Sequence, residues 1–450
     1  MSTPEQVLEQ AREAGVRLVR FLYCDNDGVI RGKTTHVDFL KPCIEAGIGL
    51  TVAMQSFIML DALVPDGTFG PVGEIRLMPD LETFTPLPYA PRSARMLVDL
   101  IQHDRTPWGA CPRSFLKRMV ERSGERGLQW QAAFENEFYL VRQAEEGFVP
   151  IDQSLCFSSI GMDEAEPIIQ EIIEALGHQG VRVEKYFPEL GPGQQEIPVH
   201  HAPALRAADN QIVFRETVRG VARAHGLWAT FAPKPFADLA GNGCHLHLSA
   251  WDEPGERNLF FDGEDPNRLS RQGYHFIGGV LAHLPALVAL TAPSVNSYRR
   301  LQPQTWASAF TCYGPDNREA AVRIVSPYWG REMESVNIEL KCSDPSNNPY
   351  IALGGMLAAG LDGIEKEIEP GEALMVDPAR LSEEERESRG IRRLPTTLEE
   401  AIGELERDEV LCGAMGPVLA KEYLIVKRAV WEGFKDKDEA FELAQHFYKF

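Results

Sequence analysis

Three segments of the chain alternate apolar and ionisable residues, and this alternation most constrains how the chain can fold. They are residues 132–141 (AAFENEFYLV), 244–249 (CHLHLS) and 336–342 (VNIELKC). In a β-strand, side chains two positions apart point to the same face of the sheet. We therefore predict three strands, each with one apolar face and one face that carries carboxylate, imidazole or other polar groups.

The polar faces of these strands hold groups that can bind a metal ion. The first carries Glu135, Glu137 and Tyr139, the second His245, His247 and Ser249, and the third Asn337, Glu339 and Lys341. A Gly/Pro-rich turn at 188–197 has Glu189 and Glu196 at its ends, and Glu184 lies on a strand-like stretch before it. Each pattern alone is also typical of a solvated strand face or a structural histidine. If the segments converge, the ligand set suits Mg²⁺ or Mn²⁺ rather than zinc.

Two further segments supply clustered arginines. They are residues 296–301 (NSYRRL) and 317–324 (NREAAVRI), which contain Arg299, Arg300, Arg318 and Arg323. Guanidinium groups bind carboxylate and phosphate through paired hydrogen bonds. Beside a carboxylate-rich metal site, they indicate metal-assisted phosphoryl transfer to an acidic substrate.

Charge and composition exclude several classes of protein. Lys and Arg total 45 against 66 Asp and Glu, a net charge of −21, which repels nucleic acid and anionic membranes. The longest apolar stretch, 279–293, is interrupted by prolines and is predicted as core. The N-terminal residues show no export signal, and the eight cysteines form no C-x-x-C pair. A cytoplasmic protein with free thiols is therefore expected.

The pattern of elements predicts an α+β fold in two domains. A turn at Asp25–Gly28 within residues 16–37 predicts a hairpin, so the N-terminal part is expected to be β-rich. Prolines between 79 and 91 and a second break at 104–107 place the domain boundary near residue 105. Helical patterns then occur at 111–127, 163–180, 204–226 and 271–292, interleaved with short strands.

These motifs resemble those of the glutamine synthetase family, and the resemblance runs over nearly the whole chain. It rests on ENE at 135–137, GPGQQE at 191–196, GNGCHLHLS at 241–249, NSYRRL, NREAAVRI, and Glu339 followed by DPSNNPYIALGGMLAAGLDGI. The resemblance implies a small N-terminal β-grasp domain, residues 1–105, and a large catalytic domain, residues 106–450. It also implies a homo-oligomer in rings, a dodecamer in many relatives, with active sites at subunit boundaries.

The resemblance assigns roles to individual residues. It implies a first metal ion held by Glu137, Glu189 and Glu196, and a second held by Glu135, His245 and Glu339. It places Glu184, His247, Ser249, Arg323 and Asn337 at nucleotide-binding positions. Substrate-binding positions are Gly241, Arg300, Arg318, Lys341 and Trp306, and Arg300, Arg318 and Glu339 are expected to take part in catalysis. The implied reaction uses ATP and Mg²⁺ or Mn²⁺ to convert glutamate into an acyl phosphate, which an amine then attacks.

The chain departs from the family where ammonium is bound. Family members that use ammonium carry an aspartate in the N-terminal domain and a flap glutamate, but here the corresponding segment 51–56 lacks a carboxylate and the flap position falls at or beside Trp306. An indole suits a larger organic amine, so we predict a γ-glutamyl-amine ligase. The alternative is an ammonium-using glutamine synthetase in which Trp306 packs the flap and Asp61 or Asp66 supplies the anion.

Two more departures concern the acid substrate and its nucleotide. Lys341 and Asn337 stand where the family commonly has arginines, and a lysine cannot make the planar two-pronged contact of a guanidinium. A non-catalytic ring-forming scaffold or sensor is therefore an alternative from another class. The tyrosine that some relatives modify by adenylylation is absent near residues 379–381, so that regulation is not expected.

Overall fold

Two β-sheets organise the chain in the computed structural model, which describes residues 2–145 and 147–450. The strands are β1 Leu18–Cys24, β2 Ile30–His36, β3 Ile48–Thr51, β4 Glu74–Pro79, β5 Thr85–Pro86, β6 Ser93–Ile101, β7 Gln129–Ala144, β8 Gly147–Pro150, β9 Phe187–Pro188, β10 Gln194–Ile197, β11 Ala202–Pro203, β12 Trp228–Thr230, β13 Cys244–Trp251, β14 Tyr313–Pro315, β15 Val322–Val325 and β16 Asn337–Leu340. The first six strands form one sheet and the other ten form the second.

Fourteen α-helices cover these sheets in the described part of the chain. They are α1 Pro4–Glu13, α2 Leu40–Ala46, α3 Pro112–Gly124, α4 Ser159–His178, α5 Ala204–Ala224, α6 Arg271–Thr291, α7 Ser297–Arg300, α8 Glu332–Ser335, α9 Pro349–Lys366, α10 Glu383–Ser388, α11 Leu398–Arg407, α12 Glu409–Met415, α13 Pro417–Phe434 and α14 Glu439–Lys449. The four predicted helical patterns correspond to α3, α4, α5 and α6. The α+β class is confirmed.

The N-terminal sheet has the order β2-β1-β6-β4-β3, with β5 beside β6. The predicted hairpin is confirmed, since β1 and β2 pair antiparallel and the side chain of Asp25 accepts hydrogen bonds from the backbone N–H groups of Asp27 and Val29, both at 2.9 Å. Gly28 has φ of 84°, and a Cβ atom there would lie 2.0 Å from the Ser346 carbonyl oxygen. The turn therefore requires glycine both for its conformation and for its close approach to the loop before α9.

The second sheet has the order β14-β15-β16-β13-β7-β10-β9. Its central strand β7 is longer than the predicted segment 132–141 because it pairs with five strands, namely β8, β10, β11, β12 and β13. Residues two apart on β7 alternate between the two faces, as predicted. Asn136 lies on the face opposite Glu135 and Glu137, where its side chain exchanges two 2.7 Å hydrogen bonds with Gln211 of α5.

Helices α6 and α9 form the centre of the larger hydrophobic core. A Cβ atom at Gly279 would lie 2.6 Å from the Gly363 backbone, so glycine at this crossing allows close helix packing. Helix α6 is the one described helix apolar and long enough to cross a membrane, but 78% of its apolar window is buried in the protein. The core assignment of residues 279–293 is thereby confirmed.

The two parts of the chain are joined by buried polar contacts. Lys427 of α13 pairs with Asp27 at 2.5 Å, and Asn348 at the start of α9 donates to the carbonyl oxygens of Cys24 and Asp25 at 3.1 and 2.9 Å. These contacts hold the first sheet against the second part of the chain. Removing one member of the buried ion pair would leave an unpaired charge in the interior and would be strongly destabilising. The boundary near residue 105 stays a prediction and falls between β6 and α3. All eight cysteines are free thiols.

His283 of α6 links three helices and is expected to make stability depend on pH. Its Nδ1 lies 2.7 Å from Asp408 and its Nε2 lies 3.1 Å from Asp362, which also pairs with Lys366. Burial alone would lower the pKa of His283, but the hydrogen bonds and charges of Asp408 and Asp362 outweigh burial and raise it. A raised folded-state pKa adds stability below the unfolded value of about 6.5, and this contribution disappears as the pH rises through the folded-state pKa.

The variant His283→Gln is therefore expected to be less stable by about 1–3 kcal/mol at pH 6, with a smaller loss at pH 9. Urea unfolding followed by circular dichroism at both pH values measures this difference. His225→Gln is the control, because His225 hydrogen-bonds to Glu171 at the surface, with both side chains about a third exposed or more. An equal loss at the two pH values would contradict the assignment.

Candidate active site

The register of the second sheet brings the predicted ligands together. Glu135 of β7 lies directly opposite His245 of β13, and Glu137 lies opposite Glu196 of β10. On the other side of β13, His247 lies opposite Glu339 of β16. Directly opposite residues of antiparallel strands have neighbouring side chains. Four strands therefore present their polar faces to one point.

The first group at this point contains two carboxylates and two imidazoles. His245 Nδ1 lies 3.4 Å from Glu135 Oε2 and 3.2 Å from Glu339 Oε1. His247 Nε2 lies 3.2 Å from Glu135 Oε2 and 3.8 Å from Glu339 Oε1. Ligand atoms of Glu135, His247 and Glu339 all lie within 4.8 Å of one another, a spacing that can hold a metal ion. Both histidines are thus within reach of the same two carboxylates.

Hydrogen bonds distinguish the two histidines. The His247 Nδ1 lies 2.9 Å from the side-chain oxygen of Asn337, so Nδ1 carries the proton and Nε2 faces the carboxylates. The His245 Nε2 lies 3.2 Å from the Arg300 guanidinium, and its Nδ1 faces Glu135 and Glu339. Each histidine thus turns one ring nitrogen towards Glu135 and Glu339. The second metal position implied for His245 stays a prediction.

Glu339 is the most enclosed of the carboxylates, with a side chain 1% exposed. Arg323 of β15 donates to Glu339 Oε2, and Lys341 Nζ lies 3.5 Å from Oε1. Burial alone would raise the pKa of Glu339, but the charge of Lys341 and the neighbouring histidines hold it well below its ordinary value. The surrounding cationic groups therefore favour the ionised form of Glu339.

The second group consists of carboxylates around β10. Burial and the charges of Glu135, Glu137 and Glu189 raise the pKa of Glu196 well above its ordinary value. Burial and the Glu137 charge likewise raise the pKa of Glu189. The backbone N–H of Gly243 donates to Glu137 at 2.8 Å. Carboxylates this close repel one another as anions, and a divalent cation relieves that repulsion.

The combined donor set fits divalent metal ions. Five carboxylates and two imidazoles converge, and oxygen donors dominate, as Mg²⁺ and Mn²⁺ prefer. Zinc sites in proteins instead favour cysteine and histidine ligands, and the thiol of Cys244 points to the opposite face, where it contacts Asn136. The residues present thus fit the metal ions that the sequence predicts.

A cleft of about 520 Å³ opens beside the first group. The cleft is lined by all five residues that are expected to bind nucleotide, namely Glu184, His247, Ser249, Arg323 and Asn337. Arg318 also lines this cleft, and its guanidinium makes no hydrogen bond or ion pair within the described chain. Glu184 contacts His200 across the wall of the cleft, and the stretch around it forms an isolated bridge rather than the expected strand. The cleft is thus open to solvent, and its lining includes the basic side chains of Arg318 and Arg323.

Two of the remaining substrate-binding candidates, Arg300 and Gly241, lie on the other side of His245. Arg300 is buried and donates to the backbone carbonyls of Ser343 and Lys341 at 3.1 and 3.3 Å. A Cβ atom at Gly241 would lie 2.9 Å from Arg300 Cγ, so this glycine makes room for the arginine. Trp306 lies farther out, with 63% of its surface exposed. Asp61 is also exposed and pairs with Arg31 at 3.3 Å.

Sequence reasoning missed three residues that shape the site. The Gln194 amide donates to Glu137 at 3.2 Å and to Asn242 Oδ1 at 3.0 Å, and so holds Glu137 of the second group in position. A Cβ atom at Gly243 would lie 2.5 Å from His245 Nε2. Glu319 holds the loop that carries Trp306. The glycines of GNGCHLHLS and the first glutamine of GPGQQE were visible signals, whereas nothing local marked Glu319.

Comparison with known proteins assigns the chain to a family. The profile described as the glutamine synthetase N-terminal domain matches residues 3–108, and the glutamine synthetase catalytic domain matches residues 109–446. The chain is 39% identical over 417 residues to a gamma-glutamylpolyamine synthetase of Streptomyces coelicolor, covering 92% of this chain and 89% of that protein. It is 36% identical over 441 residues to a glutamine synthetase of Methanocaldococcus jannaschii, covering 96% and 95%.

Solved structures give the same result. A crystal structure of a novel glutamine synthase homolog superposes with a TM-score of 0.86 at 34% identity, covering 97% of this chain and 99% of that one. A GmaS/ADP complex superposes with a TM-score of 0.84 at 32% identity, covering 97% and 98%. Similarity at this level, over both chains, shows common family membership. The chain belongs to the glutamine synthetase family and is an ATP-dependent ligase that forms C–N bonds.

Proposed function

We propose that this protein is a γ-glutamyl-amine ligase that uses ATP to join the side-chain carboxylate of glutamate to an organic amine. The observation that carries the proposal is the convergence of carboxylates and imidazoles next to a cleft whose lining includes Arg318 and Arg323. The choice of an organic amine rests on the loop at Trp306, which bears an indole and no carboxylate. The 39% identity to a protein named gamma-glutamylpolyamine synthetase supports it.

In the proposed site, two divalent ions are held by the carboxylate and histidine groups described above. The first is assigned to Glu137, Glu189 and Glu196, and the second to Glu135, Glu339 and His245. When bound, such ions neutralise the charges of the phosphates and of the substrate carboxylate. This lowers the repulsion that opposes attack of the carboxylate on the terminal phosphate of ATP. Arg318 and Arg323, which border the cleft, are assigned to phosphate oxygens, and Arg300 and Lys341 to the acid substrate.

The proposed reaction has two steps. An oxygen of the glutamate side-chain carboxylate attacks the terminal phosphorus of ATP, and the bond to ADP breaks. The neutral amine nitrogen then attacks the acyl carbon, the bond to the phosphate oxygen breaks, and the nitrogen loses a proton. The products are the γ-glutamyl amide, ADP and phosphate. The reaction needs no protein nucleophile, which is consistent with a site built from charge-stabilising groups.

A second candidate function is favoured by one specific observation. The carboxylate of Glu319 lies 2.7 Å from the backbone nitrogen of Trp306. An anion is therefore close to the loop 301–308, although the loop has no acidic residue of its own. An ammonium-using glutamine synthetase is therefore the alternative, and relatives with that name match at 36% identity.

A non-catalytic scaffold is disfavoured because a cluster of buried carboxylates is costly to maintain without a ligand.

Phosphate release from ATP with glutamate and a panel of amines tests the proposal. The panel runs from ammonium through methylamine and ethanolamine to polyamines and aromatic amines, with Mg²⁺ or Mn²⁺ and mass identification of products. We expect kcat/KM for at least one organic amine to exceed that for ammonium by about 10-fold or more, since each methylene group that the indole covers contributes about 0.8 kcal/mol that ammonium cannot gain. Comparable turnover of ammonium would support the glutamine synthetase instead.

Ring assembly is part of the proposal. The family resemblance implies a dodecamer, and sedimentation velocity measures its mass directly. A monomer that is fully active would contradict active sites shared between subunits.

A further inference from the structure

The loop from Leu301 to Ser308 has an unusual backbone. Gln304, Trp306 and Ser308 have φ of 62°, 59° and 67°, in the left-handed region that non-glycine residues rarely adopt. Such residues persist only where the surrounding structure holds them. The loop must therefore be fixed by contacts from elsewhere in the chain.

Glu319 supplies the central contact. Its carboxylate accepts a hydrogen bond from the backbone N–H of Trp306 at 2.7 Å and also interacts with the backbone N–H of Gln304. Ser308 donates from its hydroxyl to the carbonyl oxygen of Ala320, next to Glu319, at 2.8 Å. All three left-handed residues are thus tied to the two-residue segment Glu319–Ala320.

The same segment is coupled to the metal-binding group. Lys341 lies 3.5 Å from Glu339 Oε1, and its charge also acts on Glu319. Lys341 is buried, so this interaction is weakly screened. The backbone N–H of Lys341 also donates to the carbonyl oxygen of Ala321 at 2.9 Å, directly after the segment Glu319–Ala320.

The position of the loop indicates which substrate it meets. The nucleotide-sized cleft lies on the side of Glu135 and His247. The loop begins directly after Arg300, which contacts the opposite nitrogen of His245. The loop therefore starts on the Arg300 side of His245, where the acid and the amine must bind if the nucleotide occupies the cleft.

We propose that Glu319 is a positioning residue for the amine step, which fixes the loop 301–308 so that the Trp306 indole borders the amine entrance. The inference rests on the proposed function. The class of substrate that this arrangement favours is a primary amine with an organic chain, because an indole covers alkyl groups and attracts ammonium. Glu319 acts through the loop backbone and does not touch the reacting atoms.

The first test measures the loop without turnover. The emission of Trp306 is obtained as the difference between proteins with Trp306 and with Trp306→Phe, and its quenching by acrylamide is compared in the Glu319→Ala and Glu319→Gln backgrounds. We expect Glu319→Ala to change the quenching constant by about twofold, and Glu319→Gln, which keeps an acceptor oxygen, to change it little. Unchanged quenching in Glu319→Ala would overturn the positioning role.

The second test measures substrate binding in turnover. Glu319→Ala is expected to raise KM for the organic amine about 10-fold, with KM for ATP and glutamate unchanged and with rescue to within about threefold in Glu319→Gln. Glu385→Ala is the matched control, since Glu385 accepts a backbone N–H of Ser382 at 2.7 Å on an exposed helix. A parallel rise in all three KM values would overturn the proposal. If the unmodified protein shows no amine-dependent turnover, the proposed function fails, and the quenching result still decides the role of Glu319.

Discussion

Glu339→Gln is expected to lower amine-dependent phosphate release by at least about 100-fold and to weaken Mn²⁺ binding about 10- to 100-fold. The substitution keeps the size of the side chain but removes the anion that Arg323, Lys341 and His245 surround. It leaves buried cations without a partner, so we also expect a loss of about 3 kcal/mol in the free energy of unfolding. Phosphate release, calorimetric titration with Mn²⁺ and urea unfolding measure the three effects.

The control for this prediction is Glu404→Gln. Glu404 pairs with Arg407 at 2.7 Å on the exposed surface of α11, and surface pairs contribute little to stability. We expect that variant to match the unmodified protein in all three measurements. Full activity of Glu339→Gln with unchanged metal dependence would remove Glu339 from the metal site.

Gly243→Ala is expected to reduce activity by at least about 100-fold, because the glycine leaves room for three functional side chains. A Cβ atom there would lie 2.5 Å from His245 Nε2, 2.8 Å from Arg300 Nη2 and 2.9 Å from Glu137 Oε1. All three side chains are largely enclosed, so they cannot retreat without leaving their ligand positions. Phosphate release and Mn²⁺ titration check the result.

Gly177→Ala is the matched control for Gly243→Ala. Gly177 lies in α4, and an added Cβ atom there would meet nothing within 4 Å. It should leave activity intact and raise stability by up to about 1 kcal/mol through helix propensity. If Gly243→Ala were as active as Gly177→Ala, the close approach at the metal-binding group would be irrelevant to function.

The faces of the strands could be predicted from the sequence because alternation is a local property. Glu135 and Glu137 share a face of β7 while Asn136 lies on the other, as the spacing requires. The partner of each residue could not be predicted in this way. That Glu135 lies opposite His245, and Glu137 opposite Glu196, depends on strand order and register, which long-range packing decides. Local patterns could not show that the three strands and the turn at 188–197 come together. The family motifs were the basis for predicting that they do.

Other features depended on contacts that no motif marks. His245 and His247 have equivalent positions in the alternation, and only Arg300 and Asn337 distinguish their ring nitrogens. Glu319 was passed over because its partner, the Trp306 backbone, is 13 residues away in the sequence. A charged residue inside an arginine-rich motif gives no local signal of such a contact. The hairpin at Asp25–Gly28 was predictable because turn chemistry is local.

Transfer of oxygen from substrate to phosphate tests the central claim most directly. Glutamate labelled with ¹⁸O in its side-chain carboxylate is incubated with the protein, ATP, Mg²⁺ and the best amine of the panel, and the released phosphate is analysed by mass spectrometry. Attack of the carboxylate on ATP followed by amine displacement predicts one ¹⁸O atom in each phosphate released. Phosphate that takes its new oxygen from water instead would show ATP hydrolysis without an acyl phosphate and would contradict the ligase mechanism.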